Sequence, residues 1–147
     1  MSVGQIFERL RVLDKTVQRK TAPGLGFEVF SVSGPFAAQG AVLFAEHGFT
    51  GLESLNVSNR SGAPGFELLY VFYNPADNLR AAMRTEADHA VQSIVSSHPA
   101  CAPHEREAYD LFGVEFSGIA DRERIFQHSD AQGFPLRAAE TVSAVQS

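Results

Sequence analysis

The chain is poor in several things that most directly advertise a function. It has a single cysteine, Cys101, in 147 residues, which excludes an intramolecular disulfide and any four-cysteine metal cluster and points to a reducing, intracellular compartment. There is no tryptophan. The longest strongly apolar stretch, 68–73, is far too short to cross a bilayer. The start of the chain is amphipathic and charged, not a basic end followed by an apolar run, so no secretory signal is expected. Neither Gly24-Leu25-Gly26 nor Gly62-Ala63-Pro64-Gly65 opens a helix after a buried strand, and no P-loop lysine or Gly-x-Ser-x-Gly elbow occurs. No cofactor site is therefore expected. Positive charge is also short: the net charge of −5 gives a nucleic-acid role no electrostatic support.

What is present argues for one folded domain of ordinary size. The hydrophobic fraction is 44% with 12 phenylalanines, enough for a substantial core. The basic residues Arg9, Arg11, Lys15, Arg19 and Lys20 face only Glu8 and Asp14 in the first twenty positions. They could meet an acidic partner or lipid headgroups, and the reading adopted is a solvated helix face.

Val3, Ile6, Phe7, Leu10, Leu13 and Val17 recur at three- and four-residue steps, which predicts an amphipathic helix over 3–17, closed by Pro23-Gly24. A strand is predicted over 27–33. Gly34-Pro35 then leads into a second helix over 36–47, closed by Gly48. Segments 52–57 and 66–73 flank a run of turn-forming residues and predict an antiparallel hairpin. Arg80 and Arg84 suggest that 79–85 is a third strand at an exposed edge, where charge discourages aggregation. A short helix is predicted over 91–96. Pro103, the acidic residues Glu105 and Glu107, and Gly113 frame a helix over 103–112 with consistent end signals. After Phe116 no period persists. The expected class is α+β: a two-layer, mainly antiparallel mixed sheet packed by helices. One domain spans 1–147, with a core over about 1–116 and an extended, partner-binding tail over about 117–147.

Two groups of residues could carry chemistry. His98, Cys101 and His104 are spaced like part of a metal site, but the prolines stiffen the segment and a fourth ligand, His89 or Asp110, would have to come from elsewhere. An ordinary loop is the reading adopted. Glu105, Glu107 and Asp110 could act in acid–base catalysis. On a helix, however, Arg106 and Asp110 lie four apart and can pair, while Glu105 and Glu107 point to different sides. That describes a solvated or partner-facing charged helix, with Ala108, Leu111 and Phe112 packed on the sheet.

The run Glu105-Arg106-Glu107-Ala108-Tyr109-Asp110-Leu111-Phe112-Gly113-Val114-Glu115-Phe116-Ser117-Gly118 resembles the signature of the respiratory-chain NADH dehydrogenase 30 kDa subunit family, the C subunit of complex I. The family is shared with group 4 membrane-bound nickel–iron hydrogenases. Gly133-Phe134-Pro135-Leu136-Arg137 resembles its closing Gly-x-Pro-Leu-Arg, and His47-Gly48-Phe49 its approach to the sheet. The likeness covers roughly 40–140, with departures at Ala102-Pro103-His104, Gly118-Ile119-Ala120-Asp121 and Ala138-Ala139-Glu140.

The resemblance implies a peripheral-arm subunit with no redox centre or active site of its own. It would dock on the large subunit that holds the quinone site, beside other peripheral-arm subunits, on the cytoplasmic face of the inner membrane. Glu105, Arg106, Glu107 and Asp110 are then expected to make or brace inter-subunit contacts. Phe112 and Gly113 would fix the turn out of the helix, and Pro135, Leu136 and Arg137 would anchor the tail. The equivalent subunit of a hydrogenase, a stand-alone enzyme using Cys101 and His104, and an interaction domain that has lost its complex are the alternatives.

Overall fold

In the computed structural model, residues 3–21, 24, 26–60, 62 and 64–118 are described. Helix α1 (Val3–Leu13) buries Ile6 and Leu10 completely, as the apolar stripe predicts. It stops short of Val17 because of Asp14. The Asp14 amide still donates to the Leu10 carbonyl (2.7 Å), but its carboxylate accepts from the Thr16 amide (2.9 Å), the Thr16 hydroxyl (2.6 Å) and the Ser33 amide (2.8 Å). A short acidic side chain that satisfies the backbone in this way competes with further helix. Val17 still reaches the core, from the turn. Strand β1 (Gln18–Thr21) follows, every residue of it exposed, so no apolar alternation announces it. It is held by antiparallel pairing with β2 (Glu28–Ser31) and by an Arg19–Glu28 ion pair.

A 3-10 turn (Gly34–Phe36) leads into α2 (Ala37–Glu46), which buries Ala37, Gly40, Ala41 and Phe44. The small residues let it lie close to the sheet: a Cβ on Gly40 would stand 3.1 Å from the Met83 sulfur. Gly48, at φ +95°, turns the chain out of the helix. β3 (Gly51–Asn59) and β4 (Phe66–Asn74) form the expected antiparallel hairpin, with a bulge between Leu52 and Ser54.

β5 (Leu79–Ala87) corrects the expectation of an exposed edge. The strand order is β1-β2-β5-β4-β3, so β5 is central, antiparallel to β4 and parallel to β2. Arg80 and Arg84 lie on the open face of the sheet, paired with Glu53 and Glu67. An open face and an open edge both expose alternate residues, and the sequence pattern is the same for either.

The predicted helix over 91–96 is also corrected. β6 (Ala90–Gln92) pairs in parallel with β7 (Glu115–Ser117), and a turn follows β6. A second 3-10 turn (Pro99–Cys101) precedes α3 (Ala102–Phe112). Ile6 and Leu10 of α1, Ala41 and Phe44 of α2, and Ala108 of α3 share one core with Phe30, Leu68, Tyr70, Phe72 and Met83 of the sheet. Phe44 is its hub, with Phe30, Phe49 and Phe72 ring centroids at 5.7, 6.0 and 4.8 Å. The architecture is α+β in two layers, as expected. The residues predicted to form the tail beyond Gly118, including Pro135, Leu136 and Arg137, lie outside the described residues.

Candidate partner-binding helix

Helix α3 is locally specified. Pro103 occupies its first turn, Glu105 adds negative charge near the positive end of the dipole, and Gly113 caps it. Gly113 takes φ +80° and ψ 16°, the left-handed conformation, with its amide on the Tyr109 carbonyl at 2.8 Å. The chain leaves the helix at this corner and drives Val114 and Phe116 into the core, both fully buried, as β7 forms. Much of the 105–118 block is thus fold-building. It caps a helix, turns a corner and fills the core.

Two sides of α3 differ sharply. Ala108 is buried, and Phe112 meets Phe66 edge-on with centroids 6.0 Å apart. Pro103, Arg106 and Glu107 are exposed, and Tyr109 and Asp110 are half-buried at the border. Arg106 and Asp110 pair across one turn at 3.9 Å, as their spacing predicts; their side chains remain 52% and 29% exposed. A pair this open is loosely held and can exchange partners at little cost.

Glu105 is the exception among the four charged residues. It is fully buried on the inner side of α3, so in this arrangement it can brace a contact but cannot make one. One carboxyl oxygen accepts from the Ser93 hydroxyl (2.7 Å) and the other from the Ile94 amide (2.9 Å). Burial raises its pKa, against smaller downward pulls from Ser93, Ile94 and the Cys101 thiol. The Tyr70 hydroxyl, buried and without a hydrogen-bond partner among the described residues, is close enough to Cys101 and Glu105 to feel both electrostatically. Nothing in the sequence marks Ser93 or Tyr70 as Glu105's neighbours. Their approach depends on the loop after β6 and on the register of β4.

The other candidate chemistry is committed to structure. His98 is buried against Phe72, ring centroids 4.5 Å apart. Its Nε2–H donates to the Phe49 carbonyl (2.8 Å), and Nδ1 lies 2.9 Å from the Ser97 hydroxyl. Both ring nitrogens are occupied. Burial pushes its pKa down, only partly opposed by the bond to Phe49. Cys101 is fully buried, and burial, with the neighbouring Glu105, pushes its thiol well above the ordinary range. A nucleophilic cysteine needs the opposite environment, exposed and electropositive. His104 is half-buried on α3. Among the described residues no group of three His, Cys, Asp or Glu side chains could hold a metal, and no helix is long and apolar enough to cross a membrane.

Known proteins resemble this chain in sequence and in fold. The NADH-quinone oxidoreductase C subunit from Bartonella bacilliformis is 39% identical over 74 residues, 49% of this chain and 36% of that one. The corresponding protein from Dinoroseobacter shibae is 39% identical over 77 residues, 51% of this chain and 36% of that one. The matched stretch thus spans about a third of each relative's length. The fold is shared with the trypsin-resistant fragment of Nqo5 (TM-score 0.68, 21% identity, 80% of this chain and 97% of that one). It is also shared with a chain of the membrane-bound sulfane sulfur reductase, an archaeal respiratory membrane complex (TM-score 0.75, 17% identity, 92% of this chain and 84% of that one). The family described as respiratory-chain NADH dehydrogenase, 30 Kd subunit, matches residues 38–146, from the start of α2 through α3 and β7. With that match covering most of its length, the chain belongs to the respiratory-chain NADH dehydrogenase 30 kDa subunit family.

Proposed function

We propose that this chain is a peripheral-arm subunit of a complex-I-like NADH:quinone oxidoreductase, with no active site of its own. It docks on the large subunit that holds the quinone site. Family membership supports the reading, and so does the likeness to the C subunits of NADH-quinone oxidoreductases. The single observation that carries the docking role is the outer side of α3. It presents Arg106, Glu107 and the border residue Asp110 on a helix whose opposite side is rigidly packed. A charged rim around a half-buried tyrosine is the composition expected at a polar subunit interface. Pro135, Leu136 and Arg137 are proposed to anchor the tail on the same partner, and membrane contact is indirect, through the complex.

Charge reversal, Arg106→Glu, tests this. It breaks a partly open pair and sets a like charge one turn from Asp110, a cost of about 0.5 kcal/mol, so the thermal midpoint is expected to fall by no more than about 2 °C while recovery of the complex on co-purification falls by about tenfold. Unchanged recovery would count against α3 as the docking surface. The second reading, the equivalent subunit of a group 4 nickel–iron hydrogenase, is favoured by Phe134 ahead of Pro135-Leu136-Arg137. Co-purifying chains separate the two: flavin and NADH oxidation for the first, nickel and a hydrogenase large subunit for the second.

A further inference from the structure

The docking side of α3 is only as well placed as the contact that sets the helix against the rest of the domain. That contact is unusual for a core. The inner side of α3 offers Cys101, at its start, Glu105 and Ala108, and the middle one is a carboxylic acid with no exposed surface. A buried carboxyl without partners is strongly unfavourable, so its hydrogen bonds dictate where the helix can lie. Both oxygens of Glu105 are used, on Ser93 and Ile94. The Ser93 hydroxyl oxygen also accepts from the Val95 amide at 3.1 Å, which ties the same loop to itself. This loop is the exit of β6, whose neighbour β7 is the continuation of α3 beyond Gly113. The helix is therefore clamped at two points to one small unit, through Glu105 near its start and through β7 after its end. The Cys101 thiol also hydrogen-bonds the carboxyl, and Cys101 and the nearby Tyr70 are themselves fully buried, so the surroundings of Glu105 are closed to solvent.

We propose that Glu105 is a positioning residue, a buried latch between α3 and the Ser93–Ile94 loop that aims Arg106, Glu107 and Asp110 at the partner subunit. The assignment rests on the reading of α3 as the docking helix. It adds that this surface depends on an interior carboxyl that the partner never touches. Loosening the latch reorients the charged side without altering any residue on it, and binding is lost while the domain stays folded.

The test uses the full chain, co-expressed with its complex, in wild-type form and as Glu105→Ala, Glu105→Gln and Arg106→Glu. Two quantities are read: hydrogen exchange of the Ile94 amide in the purified chain, and recovery of the complex per folded chain. Counting per folded chain removes a merely structural loss, which lowers the amount folded and not the binding of what folds. Glu105→Ala is expected to speed Ile94 exchange by about tenfold or more and to lower recovery about tenfold. Glu105→Gln keeps an acceptor for Ile94 and polar contact with Ser93, so both readouts return close to wild type.

Faster exchange with unchanged recovery in Glu105→Ala overturns the latch, whatever Arg106→Glu does. Equal loss of recovery in Glu105→Ala and Glu105→Gln, with Ile94 exchange unmoved, overturns it too, because the carboxylate would then meet the partner directly. If Arg106→Glu and Glu105→Ala both leave recovery intact, the docking reading itself fails. Should Glu105→Ala not fold, Ser93→Ala removes one of the two bonds from the loop side, and recovery is expected to fall about threefold. Unchanged recovery in that variant would overturn the latch as well.

Discussion

The corner at Gly113 allows a prediction whose size can be worked out in advance. Gly113 sits at φ +80°, ψ 16°, where a Cβ is penalised by the following carbonyl, and immediately beyond it Val114 is fully buried. Holding a non-glycine residue there costs roughly 1–2 kcal/mol. Alanine also narrows the unfolded ensemble, which returns about 0.4–1 kcal/mol to the folded state. Gly113→Ala is therefore expected to destabilise the chain by a net of about 1 kcal/mol. That is a fall of about 2–4 °C in thermal midpoint for a chain of this length. In urea the midpoint should drop by about 0.5 M with unchanged slope, because the corner is strained but the same surface unfolds. The ranking of a series is a sharper check than any single value. Asparagine tolerates the left-handed region and should cost less than alanine, while β-branched valine should cost most. Equilibrium urea unfolding of the four chains, Gly113 and its Asn, Ala and Val variants, measures this directly. A Gly113→Ala chain as stable as the parent, or an Asn variant no better than Ala, would refute the assignment of a conformational role to this glycine.

Three further outcomes follow from the buried groups on and around α3. His98 has its pKa held down by burial, so its contribution to stability is fully present above the unfolded value of about 6.5 and is lost as pH falls through the lower folded value. Urea midpoints measured from about pH 7.5 to 5 should decline more steeply for the parent than for His98→Gln; parallel profiles would remove the imidazole from the account. Glu105 acts with the opposite sign. Its raised pKa gives stability that is fully present below the usual carboxylate range and lost as pH rises through the folded value, so Glu105→Gln should gain on the parent as pH increases through that window. Cys101 should be inert to a thiol reagent in the native chain and react at least about tenfold faster in denaturant. Rapid native labelling would reopen a catalytic role for it.

The sequence by itself determined the elements whose signals are local. The stripe through Ile6 and Leu10, the hairpin of β3 and β4, and above all α3 with Pro103 and Gly113 were legible because caps, turns and apolar periods act within a few residues. The 105–118 block was legible as a family signature for the same reason, being contiguous. What needed the tertiary structure was everything decided by distant pairing. β1 has no pattern of its own and exists because β2 offers it a ladder. β5 reads like an edge but lies at the centre of the sheet, because strand order is settled by the parallel crossover from β2. Residues 91–96 read as a short helix in isolation, yet 90–92 form a strand because β7 lies beside them. Glu105 shows the division most plainly. The spacing correctly turned it away from Glu107, yet only the loop at Ser93 and Ile94, twelve and eleven residues upstream, could make an interior place for a charged side chain. A helical period tells which side a residue is on; whether that side is wet depends on what the rest of the chain brings to it.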